Sequence, residues 1–386
     1  MNSESESDLV MENDAKFDPR SDLVFSIISE YSPSGQERGV AQIIFDYLRE
    51  RKLSPRLDAA GNVICEAGSG KKSVLLCGHM DTVPGELPVK LEEGIIFGRG
   101  ACDAKGPLLS LLFAFEKLAT SVELTSGKVI FAGVIEEERE STGLAELIRE
   151  GIKTNYAIFG EPGGVFKITV GYRGHLTLRI VIVTPEIHAS APKFVTNSAE
   201  LLFEIYKSLK IALGVEKDSV DKISASLTEI SSGTVHNVIP GKTTATIDIR
   251  IPLSSEVTRV RDVVEDVVRK ARLDYSDAII STSYDEPTEP YRVSLNSPLV
   301  RALSRSILKT GAKPQFVTKS GTGDMNTYAK IFGVDAVTYG PGEAKLSHSS
   351  DEKVGLAEIF SCSEIITSAV KELITEESPR EKEVTN

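Results

Sequence analysis

Val74-Leu75-Leu76-Cys77-Gly78-His79-Met80-Asp81 joins an apolar run to Gly-His-x-Asp. The run reads as a strand that stops at a histidine. In open α/β sheets, ligands gather at the carboxyl ends of strands. A histidine placed there can ligate a metal through one ring nitrogen. Asp81, two residues on, can accept a hydrogen bond from the other nitrogen and fix the tautomer. Taken alone, a His-x-Asp pair is more often a satisfied histidine at a strand end.

Working outward, the first ordered half alternates helical and strand patterns. Ser21 to Lys52 reads as helical segments broken at Ser32-Pro33-Ser34-Gly35. Gly61 to Ala67 and Ser73 to Gly78 read as strands, Gly106 to Leu118 as a buried helix, and Gly127 to Ile135 as a strand. Ser141 to Glu150 reads as a helix and Tyr156 to Gly160 as a short strand. This alternation predicts an α/β layer fold with a largely parallel sheet. Near Gly171 the pattern changes to a strand, a helix, two strands with period-2 alternation, a helix and a last strand. That βαββαβ order is ferredoxin-like. The expected organisation is a tail at 1–16, an α/β domain in two parts at 17–173 and 286–375, an inserted domain at 174–285, and a tail at 376–386. Both tails are polar, charged and poor in large apolar residues, and are expected to be disordered.

Four further segments place chemistry at strand ends or in glycine-rich loops. Gly98-Arg99-Gly100-Ala101-Cys102-Asp103-Ala104-Lys105-Gly106 sets a carboxylate in a loop before the buried helix, where Asp103 can also serve as a helix cap. Glu136-Glu137-Glu138 follows the strand 127–135. Three adjacent carboxylates repel unless a cation offsets them, although a short acidic run is usually a solvated turn. Glu161 follows the strand 156–160, and His348 follows Tyr339-Gly340-Pro341-Gly342. Each signal is weak alone. Together they give two histidines and several carboxylates at successive strand ends. Such mixed ligands suit zinc, cobalt or manganese, and two neighbouring metals suit hydrolysis.

Composition bounds the alternatives. The 386 residues carry a net charge of −12, which argues against nucleic acid as the main partner. No apolar run reaches the length of a membrane span. The acidic, Ser-rich N-terminus lacks the features of a signal peptide, so the expectation is a cytoplasmic protein. Cys65, Cys77, Cys102 and Cys362 are scattered and suggest neither disulfides nor a thiolate metal site. Cys102 neighbours Asp103 and is expected near the metals.

In this order, the motifs G-H-x-D, G-R-G-x-x-D-x-K-G, the acidic strand end, G-E-P and the late histidine resemble the dinuclear metallopeptidases. That family includes acetylornithine deacetylase, succinyl-diaminopimelate desuccinylase, aminoacylase and glutamate carboxypeptidase. The resemblance spans about Phe17 to Ile374. It implies a zinc-peptidase α/β domain with an inserted ferredoxin-like lid that forms a homodimer, or a higher oligomer built on it. It also implies two divalent ions per subunit, zinc foremost, with cobalt or manganese as alternatives. His79 and Glu161 would hold one ion, Glu138 and His348 the other, and Asp103 would bridge them, with Asp81 behind His79. The family's spacing to a glycine, here Gly143, makes Glu137 the general base and Glu138 the ligand. The rival register shifts both roles back by one residue, to Glu136 and Glu137. In the mechanism the resemblance implies, the base takes a proton from water, hydroxide attacks the amide carbonyl, and the base returns the proton to the leaving amine. His188, in Thr184-Pro185-Glu186-Ile187-His188-Ala189-Ser190, would come from the partner's lid and stabilise the oxyanion. Asn237 and Arg250 resemble lid residues that bind substrate, and both can equally be ordinary strand and turn residues. His175 and His236 are read as structural. Lys319 to Asn326 is read as a glycine-rich loop of the resumed α/β domain that lines the pocket.

A finer resemblance lies in residues 78–108, Tyr172-Arg173-Gly174, Lys319 to Asn326, and Thr338 to Gly342. These are similar to hydrolases that release lysine or ornithine from an acidic amino-group carrier protein by cutting an amide to its terminal Glu side chain. Two other functions fit parts of the pattern. One is a deacylase of small substrates such as acetylornithine or succinyl-diaminopimelate. The other is a metal-binding interaction module without catalysis.

Overall fold

The computed structural model describes residues 18–121, 124, 127–191, 195–215 and 221–375, so the two expected tails lie outside the described residues. The chain divides into two units. The described residues of one fall within 1–170, 293–317 and 328–386, and those of the other within 171–292 and 318–327.

In the first unit the middle of the sheet is parallel. Gly127–Val134, Lys72–His79, Tyr156–Phe159 and Asp335–Thr338 lie side by side in that order. Val63–Gly68 and then Arg56–Leu57 extend it antiparallel beyond Gly127–Val134. Lys167–Tyr172 joins antiparallel beyond Asp335–Thr338. The apolar runs follow from this topology, because a parallel strand is covered on both faces. Val74 to Met80 are all buried. Register then aligns the strand ends. His79 pairs with Val134 and Cys77 with Phe159, so residues just past 134 and 159 emerge level with His79.

The helix Lys105–Ala119 packs on Lys72–His79 and Gly127–Val134, and is buried on nearly every side. Its approach depends on Gly78, where a Cβ would come within 3.1 Å of Leu108 Cδ1. The helix Leu356–Thr375 packs against it and against Pro298–Leu308. The break between the helices Ser21–Ser29 and Arg38–Glu50 also has a local cause. Pro33 offers no N–H to a helix, and Gly35 takes a left-handed φ of +89°.

The second unit has the order Ser224–Ser232, Lys242–Ile251, Gly174–Val183, Ile279–Tyr284, all antiparallel. With the helices Ser198–Ala212 and Val257–Asp274 this is the expected ferredoxin-like arrangement. Alternation places Leu176, Leu178, Ile180 and Ile182 on the buried face with Ile247, Ile249 and Ile251. Val257, Val260, Val264 and Val268 cover them at helical spacing.

The structure departs from expectation at Lys319 to Asn326. The stretch ends in the first turn of a helix, Asp324–Phe332, and residues 318–327 group with the second unit. Asn326 explains the packing, since its Nδ2 donates to the main-chain carbonyls of Arg173 at 3.2 Å and Glu289 at 2.8 Å. Among the described residues, no helix is long and apolar enough to cross a membrane.

Candidate metal centre and active site

Four parallel strands with a common direction deliver their carboxyl ends to one edge, and five expected ligands meet there. His79 is 2% exposed. Its Nε2 lies 3.6 Å from Asp103 Oδ1 and 3.8 Å from Glu161 Oε1. His348 Nε2 lies 2.9 Å from Glu138 Oε1 and 3.4 Å from Asp103 Oδ2. Asp103 therefore belongs to two groups, His79–Asp103–Glu161 and Asp103–Glu138–His348. A third acidic group, Asp58, Glu146 and Glu150, contains no histidine.

These residues fit a pair of divalent ions. His79 Nε2 is buried and has no hydrogen-bond partner. Its Nδ1 sits 3.0 Å from the main-chain carbonyl of Asp81 and 3.3 Å from Asp81 Oδ1. A proton on Nδ1 satisfies both and leaves the Nε2 lone pair aimed at Asp103 and Glu161. The spacings of His79 to Asp103 and Glu161, and of His348 to Asp103, are long for hydrogen bonds, yet close to the edge of about 3.3 Å expected of a tetrahedron with metal–ligand bonds near 2.0 Å.

The electrostatics mark an excess of negative charge at this edge. Burial alone would depress the His79 imidazole, but Asp103, Asp81 and Glu137 outweigh it and hold its pKa well above the usual value. Burial would lift Asp81, but His79, Ser34 and the Glu138 amide bring it down to about 2. Asp103 is likewise lowered, burial notwithstanding, chiefly by His79. Glu138 is raised, first by burial and then by the repulsion of Asp103. Carboxylates crowd this edge in excess of their cationic partners.

Asp81 does more than face His79. Its Oδ1 accepts from the Glu137 amide at 3.1 Å, and its Oδ2 from the Glu138 amide at 3.0 Å and from Ser34 Oγ at 2.7 Å. The acidic turn is thus pinned from below. Glu136 is turned elsewhere. It has a left-handed φ of +55°, and its carboxylate accepts from Thr142 Oγ1 at 2.6 Å.

The candidate lid residues lie in the second unit. His188 and Val238 pair across a two-stranded ribbon, and the Ala189 amide donates to the Asn237 carbonyl, which brings His188 and Asn237 together. The Ser190 amide donates to His188 Nδ1 at 3.2 Å. A neutral His188 then carries its proton on Nε2, as a hydrogen-bond donor. Arg250 is engaged internally, with Nε and Nη2 on the two oxygens of Asp248 at 2.8 and 3.0 Å. His175 Nε2 shares the same carboxylate at 3.0 Å, a structural role.

Residues 75–372 match peptidase family M20/M25/M40. The chain belongs to that family. It is an amide-bond hydrolase whose site is suited to divalent metal. It is similar to a Sulfurisphaera tokodaii protein named LysW-lysine/LysW-ornithine hydrolase, at 33% identity over 91% of this chain and 95% of that one. A Saccharolobus islandicus protein of the same name is 31% identical over 91% and 95% of the two chains. In fold it is similar to an M20 metallo-carboxypeptidase from Sulfolobus solfataricus, with a TM-score of 0.78, 20% identity, and coverage of 93% and 100%.

Several residues that shape this M20 site escaped sequence reasoning. Ser34 was visible only as part of a helix break. Glu37, 4% exposed, accepts from the Gly35 and Glu136 amides. Arg99 and Glu352 form a buried pair behind Asp103. The only signal for Glu352 was its place four residues after His348, in a polar stretch that reads as solvent-exposed.

Proposed function

We propose that this M20 hydrolase releases lysine or ornithine from the γ-carboxyl of the C-terminal Glu of an amino-group carrier protein. The observation that carries the reading is identity of 31–36% to proteins named for that activity over about nine-tenths of the chain. The site supports the reaction type. His79 and Glu161 would hold one divalent ion, Glu138 and His348 the other, with Asp103 shared. Zinc suits the mixed imidazole and carboxylate set, as do cobalt and manganese. When bound, such ions polarise a carbonyl and make water acidic enough to ionise near neutral pH.

The chain's own residues do the rest. Glu137, its amide held by Asp81, takes the proton of the attacking water and returns it to the departing amine. The position of Glu138 beside His348, with Glu136 bonded to Thr142, favours this register over one shifted back by a residue. His188 of the partner subunit, with its proton on Nε2, would donate to the developing oxyanion, and Asn237 beside it to the same centre. Arg250 can meet a substrate carboxylate only along its Nη1–Nη2 edge, because Asp248 occupies the other. A lid-mediated homodimer is supported by exposed Phe203 and Ile211 on Ser198–Ala212 and by the open edge strand Ser224–Ser232. The cytoplasm is the proposed location.

The test is hydrolysis by purified, metal-loaded enzyme. Carrier-linked lysine and ornithine are compared with acetylornithine, acetyl-lysine and succinyl-diaminopimelate, with Glu137→Ala as control. The expected result is rapid release from the carrier alone. Equal or faster turnover of a small acylated amino acid would reject the carrier and leave amide hydrolysis standing.

A further inference from the structure

Two of the proposed ligands, His79 and Glu161, follow directly from strands locked in a parallel sheet. Glu138 is tied to the same framework through Asp81. Asp103 and His348 lie outside that sheet, and the strands that pair beside their loops, Ile95–Phe97 and Lys353–Gly355, stop short of both. The two residues ride on separate loops, and His348 adopts a left-handed φ of +62°, uncommon for a residue with a Cβ. Some other contact must hold these loops in place.

Arg99 and Glu352 make that contact. Glu352 is 1% exposed and Arg99 9%. Glu352 Oε1 accepts from the Cys102 and Asp103 amides at 3.1 and 2.8 Å, so it grips the backbone of the Asp103 loop. Its Oε2 accepts from Arg99 Nη1 at 2.8 Å. The same Nη1 donates to the main-chain carbonyl of Ser349, next to His348, at 3.1 Å. Arg99 Nε donates to the main-chain carbonyl of Gly85 at 2.9 Å. Cys102 Sγ adds a bond to the main-chain carbonyl of Glu343 at 3.2 Å. A buried ion pair is a poor source of net stability, because desolvation offsets its attraction. Its satisfied, directional bonds can instead specify a unique geometry.

We propose that Arg99 and Glu352 are positioning residues that hold the Asp103 and His348 loops in one register, so that the Glu138–His348 ion site can share Asp103. The inference rests on the two-ion reading above. Its consequence is selective. Loss of the pair loosens the site that depends on both loops, while the His79–Glu161 site keeps two ligands on fixed strand ends.

The experiment is calorimetric titration of metal-free full-length protein with zinc, using the wild type, Glu352→Gln, Arg99→Lys and, as the reference for a lost second site, His348→Ala. Thermal melting of the same metal-free samples reports on folding. The wild type is expected to bind two ions. Glu352→Gln should weaken the second at least tenfold, toward the His348→Ala behaviour, and change the first less than threefold. Arg99→Lys keeps the charge but cannot reach all three acceptors, so it should fall between. If Glu352→Gln does not fold, Arg99→Lys carries the test alone. Two ions in the wild type with both affinities unchanged in the variants, or lowered equally, would overturn the positioning role. One ion or none in the wild type would overturn the two-ion reading and this inference with it.

Discussion

Replacing Asp81 by Asn tests how the acidic turn is held. Asp81 is fully buried, and its two oxygens accept from the Glu137 amide, the Glu138 amide and Ser34 Oγ. Asn has nearly the same shape but only one accepting oxygen. If that oxygen faces Glu138 and Ser34, the amide group confronts the Glu137 N–H, donor against donor. A buried donor left unmet costs about 1–3 kcal/mol, and a hydrogen bond to an ionised acceptor is worth about 1.5–3 kcal/mol. Retention of the bonds on the other side leaves a net penalty of about 3 kcal/mol against the native turn. At 1.36 kcal/mol per decade, the population of correctly placed Glu137 falls by up to about 100-fold. The assay is kcat/KM for the scissile amide at saturating metal. Ser34→Ala loses one bond and leaves no buried donor behind, so its loss should be only a few-fold. An Asp81→Asn enzyme within threefold of wild type, with its metal content intact, would refute the argument that Asp81 sets the turn.

Other outcomes follow from the same structure. Glu137→Ala should lower kcat/KM by about 10²–10⁴ while zinc affinity, read by calorimetry, stays within threefold. Burial would raise Asp248, but His175 and Arg250 bring it to about 2, below its ordinary 3.8. A depressed carboxyl contributes stability that is present above about pH 4 and is lost as pH falls through 2. The gap in melting temperature between metal-free wild type and Asp248→Asn should therefore be full at pH 5 and close on acidification. A gap that widens in acid would contradict this. Ile247→Ala, at a fully buried position of the second unit, should cost about 2–5 kcal/mol by denaturant titration. Chelation should abolish hydrolysis, and zinc, cobalt or manganese should restore it.

The parallel strands were legible because burial on both faces forces near-continuous apolar runs, as at Val74 to Cys77. The ferredoxin-like unit was legible because one-sided burial forces alternation, as at Leu176 to Ile182. Short strands such as Lys90–Glu92 and Gln315–Lys319 carry neither pattern, and tertiary pairing alone makes them strands. The helix start at Asp324 was hidden among glycines. At the site, residues at strand ends declared themselves through their position in sequence. Ser34, Arg99 and Glu352 act from loops brought close by folding, where local sequence carries no sign of the partner. Arg250 shows what residue type alone leaves open. Its residue type fits a substrate carboxylate, and no local pattern discloses that Asp248 holds the Nε–Nη2 edge and leaves the other.

The most direct test of the two-ion site is anomalous diffraction at the zinc edge from crystals of the zinc-loaded protein. Two peaks are expected on either side of Asp103, one within about 2.0–2.2 Å of ligand atoms of His79 and Glu161, the other at the same distance from Glu138 and His348. A single peak, or zinc bound away from Asp103, would contradict the account.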